Sequence, residues 1–336
     1  MNALKVEVIR SFSQFVDLKP RWDFLYQQDP HAQIFISWAW IKTVFESSNH
    51  HWLLLAVCQK RNLKKEYIAF LPLVFRHCRS PFQRIIKLAG NPYVDHTGML
   101  CLPEYSEAAI TKIFIFFKNY PFWKQLHMRE FQDERLLNFS HRFSENRFRR
   151  VEEKKSICPC VPLPPTWEQY ESEFLNPNTK YNLNRKRKKI SNVGGFIKTS
   201  YIDGPIEEPI NVLLSLWKER FDLNHIQIYK QFLSSFRYTD LFHIESWFVE
   251  DNPVAVSYGF LDKIKKTYSL YLLAFNENYA SFSPGKLIIL DCIKYAIEHQ
   301  CLYFDFLRGA QSFKYSFGAV DRENFNFQII RNGLFY

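Results

Sequence analysis

Thr267-Tyr268-Ser269-Leu270-Tyr271-Leu272-Leu273-Ala274-Phe275 is a nearly unbroken apolar and aromatic run, as expected of a central strand buried on both faces. Downstream, Ile289, Cys292, Ile293, Ala296 and Ile297 fall at i, i+3, i+4, i+7 and i+8, one apolar helical stripe. The spacing predicts a helix over 284–299, with Ser283 as its cap, Pro284 in its first turn and Gly285 admitting a ligand close to the backbone. Leu302 to Leu307 reads as the next strand. A helical crossover of that length returns the chain parallel to the strand it left.

The same plan extends outward. Phe242 to Val249 reads as a strand, Glu250-Asp251-Asn252-Pro253 as a turn, and Val254 to Leu261 as an alternating strand. The first half repeats the pattern without repeating the sequence. Strands are expected at 52–59, 67–76, 84–89 and 97–102, a helix near 105–118, and a strand from Gln125 to Phe131. The prolines 159, 162, 164 and 165 suggest a linker within 151–166, hence domains at 1–155 and 156–336.

Composition narrows the function classes. The hydrophobic fraction of 47% and charged fraction of 23% exclude disorder and leave room for a large core. The formal charge of +10 favours anionic partners such as phosphates, nucleic acid or an anionic membrane surface. Seven cysteines, an odd number without a secretory leader, argue against a disulfide framework. No apolar stretch reaches the length of a membrane span, so a cytoplasmic protein is expected. Cys158-Pro159-Cys160 lacks a second ligand pair and His50-His51 lacks a partner, so no metal is expected.

The two expected helices differ at their starts. The one at 284–299 carries Lys286 and no acid before Asp291, whereas the first-half helix opens with Glu104 and Glu107. An anionic carrier therefore belongs at the second helix, whose N-terminal amides are open to it.

These residues carry a family resemblance. Ser283-Pro284-Gly285-Lys286-Leu287, Asp291-Cys292-Ile293, Ala296, Phe304-Asp305-Phe306-Leu307-Arg308-Gly309, Lys314 and Phe317-Gly318 resemble the C-terminal signature of GNAT-type acyltransferases. The branch is that of the CelD-like proteins of cellulose and exopolysaccharide synthesis, related to the FemAB-type aminoacyltransferases. Trp22, Leu25-Tyr26, Phe35 to Trp40, Asn91, Asp95 to Leu100, Arg185 to Lys189 and Gly194-Gly195 look similar to its upstream parts. The resemblance implies an α/β (α+β) protein with two tandem GNAT-like domains, each a mixed central sheet flanked by helices. It also implies an acyl-CoA or activated aminoacyl donor entering between two splayed parallel strands, here 267–275 and 302–307. The usual pyrophosphate loop of such proteins carries two glycines, and only Gly285 stands here. Fewer amides can then converge on phosphate, which weighs against acetyl-CoA itself and leaves longer acyl-CoA and aminoacyl-tRNA open as donors.

Candidate roles follow, each beside a structural alternative. Asp305 is a candidate base, or a carboxylate paired with Arg308 or a turn amide. Tyr271 could protonate a departing thiolate, or pack in the core. Ser283, Gly285, Lys286 and Lys314 are candidates for donor binding, with Lys314 equally readable as a solvated lysine. Arg308 and His225 are candidates for the acceptor side. The run Lys180 to Lys189 could grip tRNA phosphates or form a solvated helix face. The expected activity is transfer of an acyl group from acyl-CoA to an amine of a sugar or small polar metabolite, with polysaccharide biosynthesis as the setting the resemblance implies. The rivals are a FemAB-type aminoacyl-tRNA-dependent transferase, a ligand-binding protein that kept the fold without turnover, and a plain nucleic-acid binder.

Overall fold

The computed structural model describes residues 4–332, apart from 49–50, 62–63, 77–79, 91–93, 144–146, 192–194, 202–205, 218–222 and 237–238. The side chains of 61, 76, 81, 191 and 223–228 also lie outside the description. Asn91, Gly194 and His50 therefore fall outside it, as does the side chain of His225.

In chain order the elements are β1 Lys5–Ile9, α1 Phe12–Asp17, α2 Lys19–Gln28, α3 Trp38–Ser47, β2 Trp52–Arg61, β3 Lys64–Arg76, β4 Ile85–Leu88, β5 Leu100–Cys101, α4 Ser106–Asn119, β6 Gln125–Phe131, α5 Glu134–His141 and β7 Phe148–Glu152. They continue with β8 Ser156–Pro162, α6 Trp167–Glu173, α7 Pro177–Ser191, β9 Ile197–Tyr201, α8 Glu207–Trp217, α9 Leu223–Ser234, β10 Phe242–Val249, β11 Asn252–Asp262, β12 Thr267–Phe275, α10 Pro284–Glu298, β13 Tyr303–Asp305, α11 Ser312–Tyr315 and β14 Val320–Arg331.

The chain divides into two compact units, Met1–Ile157 with Glu323–Tyr336, and Cys158–Arg322. The sequence reading assigned everything after 155 to the second domain, but the last strand enters the first unit, where it pairs antiparallel with β6 and β7. The sheet of the first unit runs β1-β2-β3-β4-β6-β14, with β5 against β3. β4 and β6 are parallel and joined through α4, the crossover expected from the pattern. Its core is aromatic. Trp22 stacks on Phe70 at 5.1 Å, and Phe45 stacks on Trp52 at 4.2 Å. The expected core segment around Phe35 and Trp40 is buried there. One charged cluster is sealed in the same unit, where Arg135 meets Asp29 at 2.9 Å and Asp133 at 2.7 Å.

The sheet of the second unit runs β8-β13-β12-β11-β10-β9. The 151–166 segment is not a simple linker: Ser156–Pro162 is strand β8, antiparallel to β13. Proline removes a donor but keeps its acceptor, and the Pro159 carbonyl takes the amide of Phe306 at 3.0 Å. The apolar stripe of α10 packs on β11 and β12 as its spacing requires, with Ile289, Cys292, Ile293, Ala296 and Ile297 all buried. Burial of that stripe contributes roughly 2 kcal/mol for each large side chain.

All six described cysteines are buried. Burial pushes the thiols of Cys101 and Cys301 up to about 12. Thiolate is the reactive form, so maleimide should leave all six unmodified in the native chain. Peptide mapping after a short pulse checks this, and rapid modification of any one would contradict its burial.

Candidate active site

The second unit contains an opening between two parallel strands. Parallel pairing of β12 with β13 covers only Thr267↔Tyr303, Tyr268↔Phe304 and Ser269↔Asp305. β13 stops at Asp305, while β12 runs on to Phe275. The expected strand 302–307 is therefore shorter, and its early end creates the wedge. From Leu270 onward no described strand pairs with β12 on that side. The pairing of β12 with β11 also shifts register at Tyr258/Gly259, a bulge beside the divergence.

The divergence is held from both directions. Leu307 takes a left-handed φ of 58°, uncommon for a branched side chain. Asp305 Oδ1 accepts the Leu307 amide at 2.7 Å. Lys314 Nζ donates to the carbonyls of Phe306, Leu307 and Arg308 at 3.0, 3.1 and 3.1 Å. Lys314 is 5% exposed. It is thus not a solvated lysine, and its ammonium is directed at the carbonyls of the turn. Asp305 is likewise engaged with a turn amide.

A cavity of about 300 Å³ lies between the end of β12 and the start of α10, lined by Leu273, Phe275, Ser283, Gly285, Ile289 and Phe313 among others. A neighbouring cavity of about 240 Å³ shares Ser283 and Lys286 with it and adds Thr179, Asn182 and Lys186 from α7. Two lysines and a helix N-terminus make that neighbour electropositive. Lys186 Nζ also donates to the Ser281 carbonyl at 2.5 Å.

Two local expectations change. Ser283 does not cap α10 with its side chain. It sits at φ 56°, and its carbonyl instead accepts the amides of Lys286 and Leu287. Pro284 has no N–H, so Gly285 supplies the first-turn amide without an intrahelical acceptor. Gly285 does not face open space either. A Cβ there would stand 3.0 Å from Phe275 Cδ1, so the glycine lets α10 approach the strand end.

The remaining candidates separate. Tyr271 is half-buried on β12, with its ring 5.3 Å from Phe260 and edge-on to it, and it does not line the cavity. Arg308 is exposed just beyond the turn. His225 lies in α9. The basic run lies on α7, where Arg187 meets Asp291 at 2.9 Å and Lys189 lies over the Phe282 ring. Sequence reasoning missed Thr179, Asn182 and Lys186 as one lining. Their i, i+3, i+7 spacing was the available signal.

Comparisons with known proteins agree with this geometry. Residues 177–315 match the family model of an acetyltransferase (GNAT) domain. A crystal structure of FemX, 11% identical, superposes over 95% of this chain and 96% of its own with a TM-score of 0.64. A tandem GNAT protein from the clavulanic acid biosynthesis pathway, 9% identical, covers 99% and 100% with a TM-score of 0.53. The C-terminal domain of a putative lysylphosphatidylglycerol synthetase from Agrobacterium fabrum, 10% identical, covers 96% and 93% at 0.54. No curated protein matches. The fold is the GNAT fold in tandem, and the GNAT domain at 177–315 supports an acyltransferase. Among the described residues no group of three or more His, Cys, Asp or Glu side chains could hold a metal, and no helix is long and apolar enough to cross a membrane.

Proposed function

We propose that the second unit transfers an acyl group from acyl-CoA to a primary amine on a sugar or small polar metabolite. The observation that carries this reading is the wedge, with its apolar cavity and its lysine-lined neighbour at the head of α10. The thioester carbonyl would lie against the β12 backbone beyond Leu270, where amide donors stabilise the charge developing on its oxygen. The amine nitrogen then bonds to the carbonyl carbon, the carbon–sulfur bond breaks, and the thiolate leaves with the carrier. One amine proton passes to a base or to water, and the thiolate takes up a proton.

Within this reading Ser283, Gly285 and Lys286 seat the donor, joined by Lys186. Asp305 is a positioning residue that acts through the Leu307 amide, Tyr271 is the candidate acid for the departing thiolate, and Arg308 belongs to the acceptor side. His225 is a further acceptor-side candidate. Cellulose or exopolysaccharide chemistry, the province of the CelD-like branch, is the finer assignment for the acceptor.

A binder raises apparent stability by mass action. Acetyl-CoA or a longer acyl-CoA should therefore raise the melting temperature of the full chain. Lys186→Ala and Lys286→Ala should each weaken that donor by roughly tenfold, about 1.4 kcal/mol. No shift with any acyl-CoA would remove the reading.

The aminoacyl-tRNA alternative has one observation of its own. Arg185 and Lys188 are exposed on α7, the helix that also carries Lys186. It expects tRNA affinity to fall steeply with salt and to drop further in Arg185→Ala.

A further inference from the structure

A second polar cavity, about 460 Å³, lies in the same unit and shares no lining residue with the two at the head of α10. Its wall on α10 begins at Asp291, roughly 9 Å along the helix from Gly285. His243 and Glu245, two apart on β10, line it together. Both are buried, at 1% and 6% exposure. Polar groups so deep are ordinarily satisfied, yet His243 Nε2 and the Tyr295 hydroxyl have no partner among the described residues.

The state of each inner group follows from its neighbours. His243 lies flat on Tyr295, with centroids 3.8 Å apart, and its Nδ1 is 2.9 Å from the Tyr268 hydroxyl. Burial lowers its pKa to about 3, so the ring is neutral. When Nδ1 donates to the Tyr268 oxygen, Nε2 is left as an acceptor facing the cavity. Glu245 Oε1 accepts from Trp247 Nε1 at 2.6 Å, and its other oxygen has no hydrogen-bond partner among the described residues. Burial pushes Glu245 up to about 7.

The inner end thus presents acceptors and an ionisable carboxyl, with no cation. The rim carries both signs, with cations in excess. Arg187, Lys198 and Lys294 have side chains 39%, 48% and 50% exposed. Asp291 engages the first two, and Lys294 is 4.0 Å from Glu298. The titratable and charged groups around Glu245 are therefore His243 on its own strand, Arg187 on α7, Lys198 on β9, Tyr268 on β12, and Asp291, Cys292, Lys294, Tyr295 and Glu298 on α10.

We propose that this cavity binds a small zwitterion, an α-amino acid, with its ammonium inward on Glu245 and His243 and its carboxylate outward at Lys294 and Arg187. A simple anion would meet the Glu245 carboxylate, whereas at the entrance Arg187, Lys198 and Lys294 outnumber Asp291 and Glu298 by one charge, which favours a carboxylate there. The site stands independently of the transfer reaction.

Titration calorimetry of the full chain with a panel of L-amino acids tests it, with methylammonium and acetate as half-ligand controls. At least one amino acid should bind at pH 8, and both controls should bind far more weakly. The ammonium needs the ionised carboxyl, so affinity should fall roughly tenfold between pH 8 and pH 6 as Glu245 takes up its proton. Glu245→Gln keeps an acceptor for Trp247, and it should cost at least tenfold in affinity and abolish the pH dependence. Lys294→Gln, an exposed change that should not disturb folding, should weaken binding severalfold. Absence of binding by every amino acid, acetate binding as tightly as the amino acids, or unaltered affinity in both folded variants would overturn the assignment. If Glu245→Gln does not fold, unaltered affinity in Lys294→Gln alone suffices.

Discussion

Lys314→Met should cost the chain about 3 kcal/mol or more. The ammonium of Lys314 is the hydrogen-bond donor to three successive carbonyls, those of Phe306, Leu307 and Arg308. A thioether of similar length fills the same space but donates nothing, and each buried carbonyl left without its donor costs about 1–3 kcal/mol. The melting temperature should fall by roughly 6 °C or more. Lys314→Arg should not restore it, because a planar guanidinium fork cannot converge on three carbonyls of one turn as a compact ammonium does. Calorimetric melting of the two variants provides the measurement. A Lys314→Met protein that melts like the parent but loses its anionic donor would reverse the argument, returning Lys314 to a phosphate and leaving the turn to hold itself.

The same turn shows where sequence reading succeeds and where it fails. β12 and α10 were legible because each follows from local pattern: a nine-residue apolar run in one case, a 3.6-residue stripe in the other. The early end of β13 was not. Phe306 and Leu307 read as a continuing strand, and what turns the chain is a left-handed Leu307 fixed by Asp305 on one side and Lys314 on the other. Lys314 lies eight residues beyond Phe306, and nothing in its local sequence distinguishes it from a solvated lysine. β8 was hidden by a different cause. Its prolines signal a linker, but a strand can carry proline where only the carbonyl is needed. In the candidate site, the lysine beside the α10 start was legible and its partner on α7 was not, because the packing of α7 against that region is tertiary. His243 and Glu245 left a fainter signal: two polar residues at strand spacing inside an otherwise apolar segment.

Gly285→Glu should reduce donor affinity at least a hundredfold, about 2.7 kcal/mol. Two effects act, and a second substitution separates them. The added Cβ would meet the Phe275 ring at 3.0 and 3.3 Å, so the ring edge must yield by a few tenths of an ångström. Gly285→Ala imposes this cost alone, and the better helix propensity of alanine, worth about 0.5–1 kcal/mol, offsets part of it. It should leave stability nearly unchanged and weaken the donor by less than tenfold. The glutamate adds a carboxylate within the first turn of α10. The helix dipole stabilises such a charge by about 0.3–1 kcal/mol, so the fold should survive while the carboxylate competes for the same positive end that the donor phosphates need. Calorimetry of both variants with the acyl-CoA that shifts the parent melting temperature distinguishes the outcomes. Equal losses in alanine and glutamate would mean that shape rather than charge governs the site. Unchanged affinity in glutamate would place the donor elsewhere than at the head of α10, and the wedge would then lack the ligand that gives it a catalytic meaning.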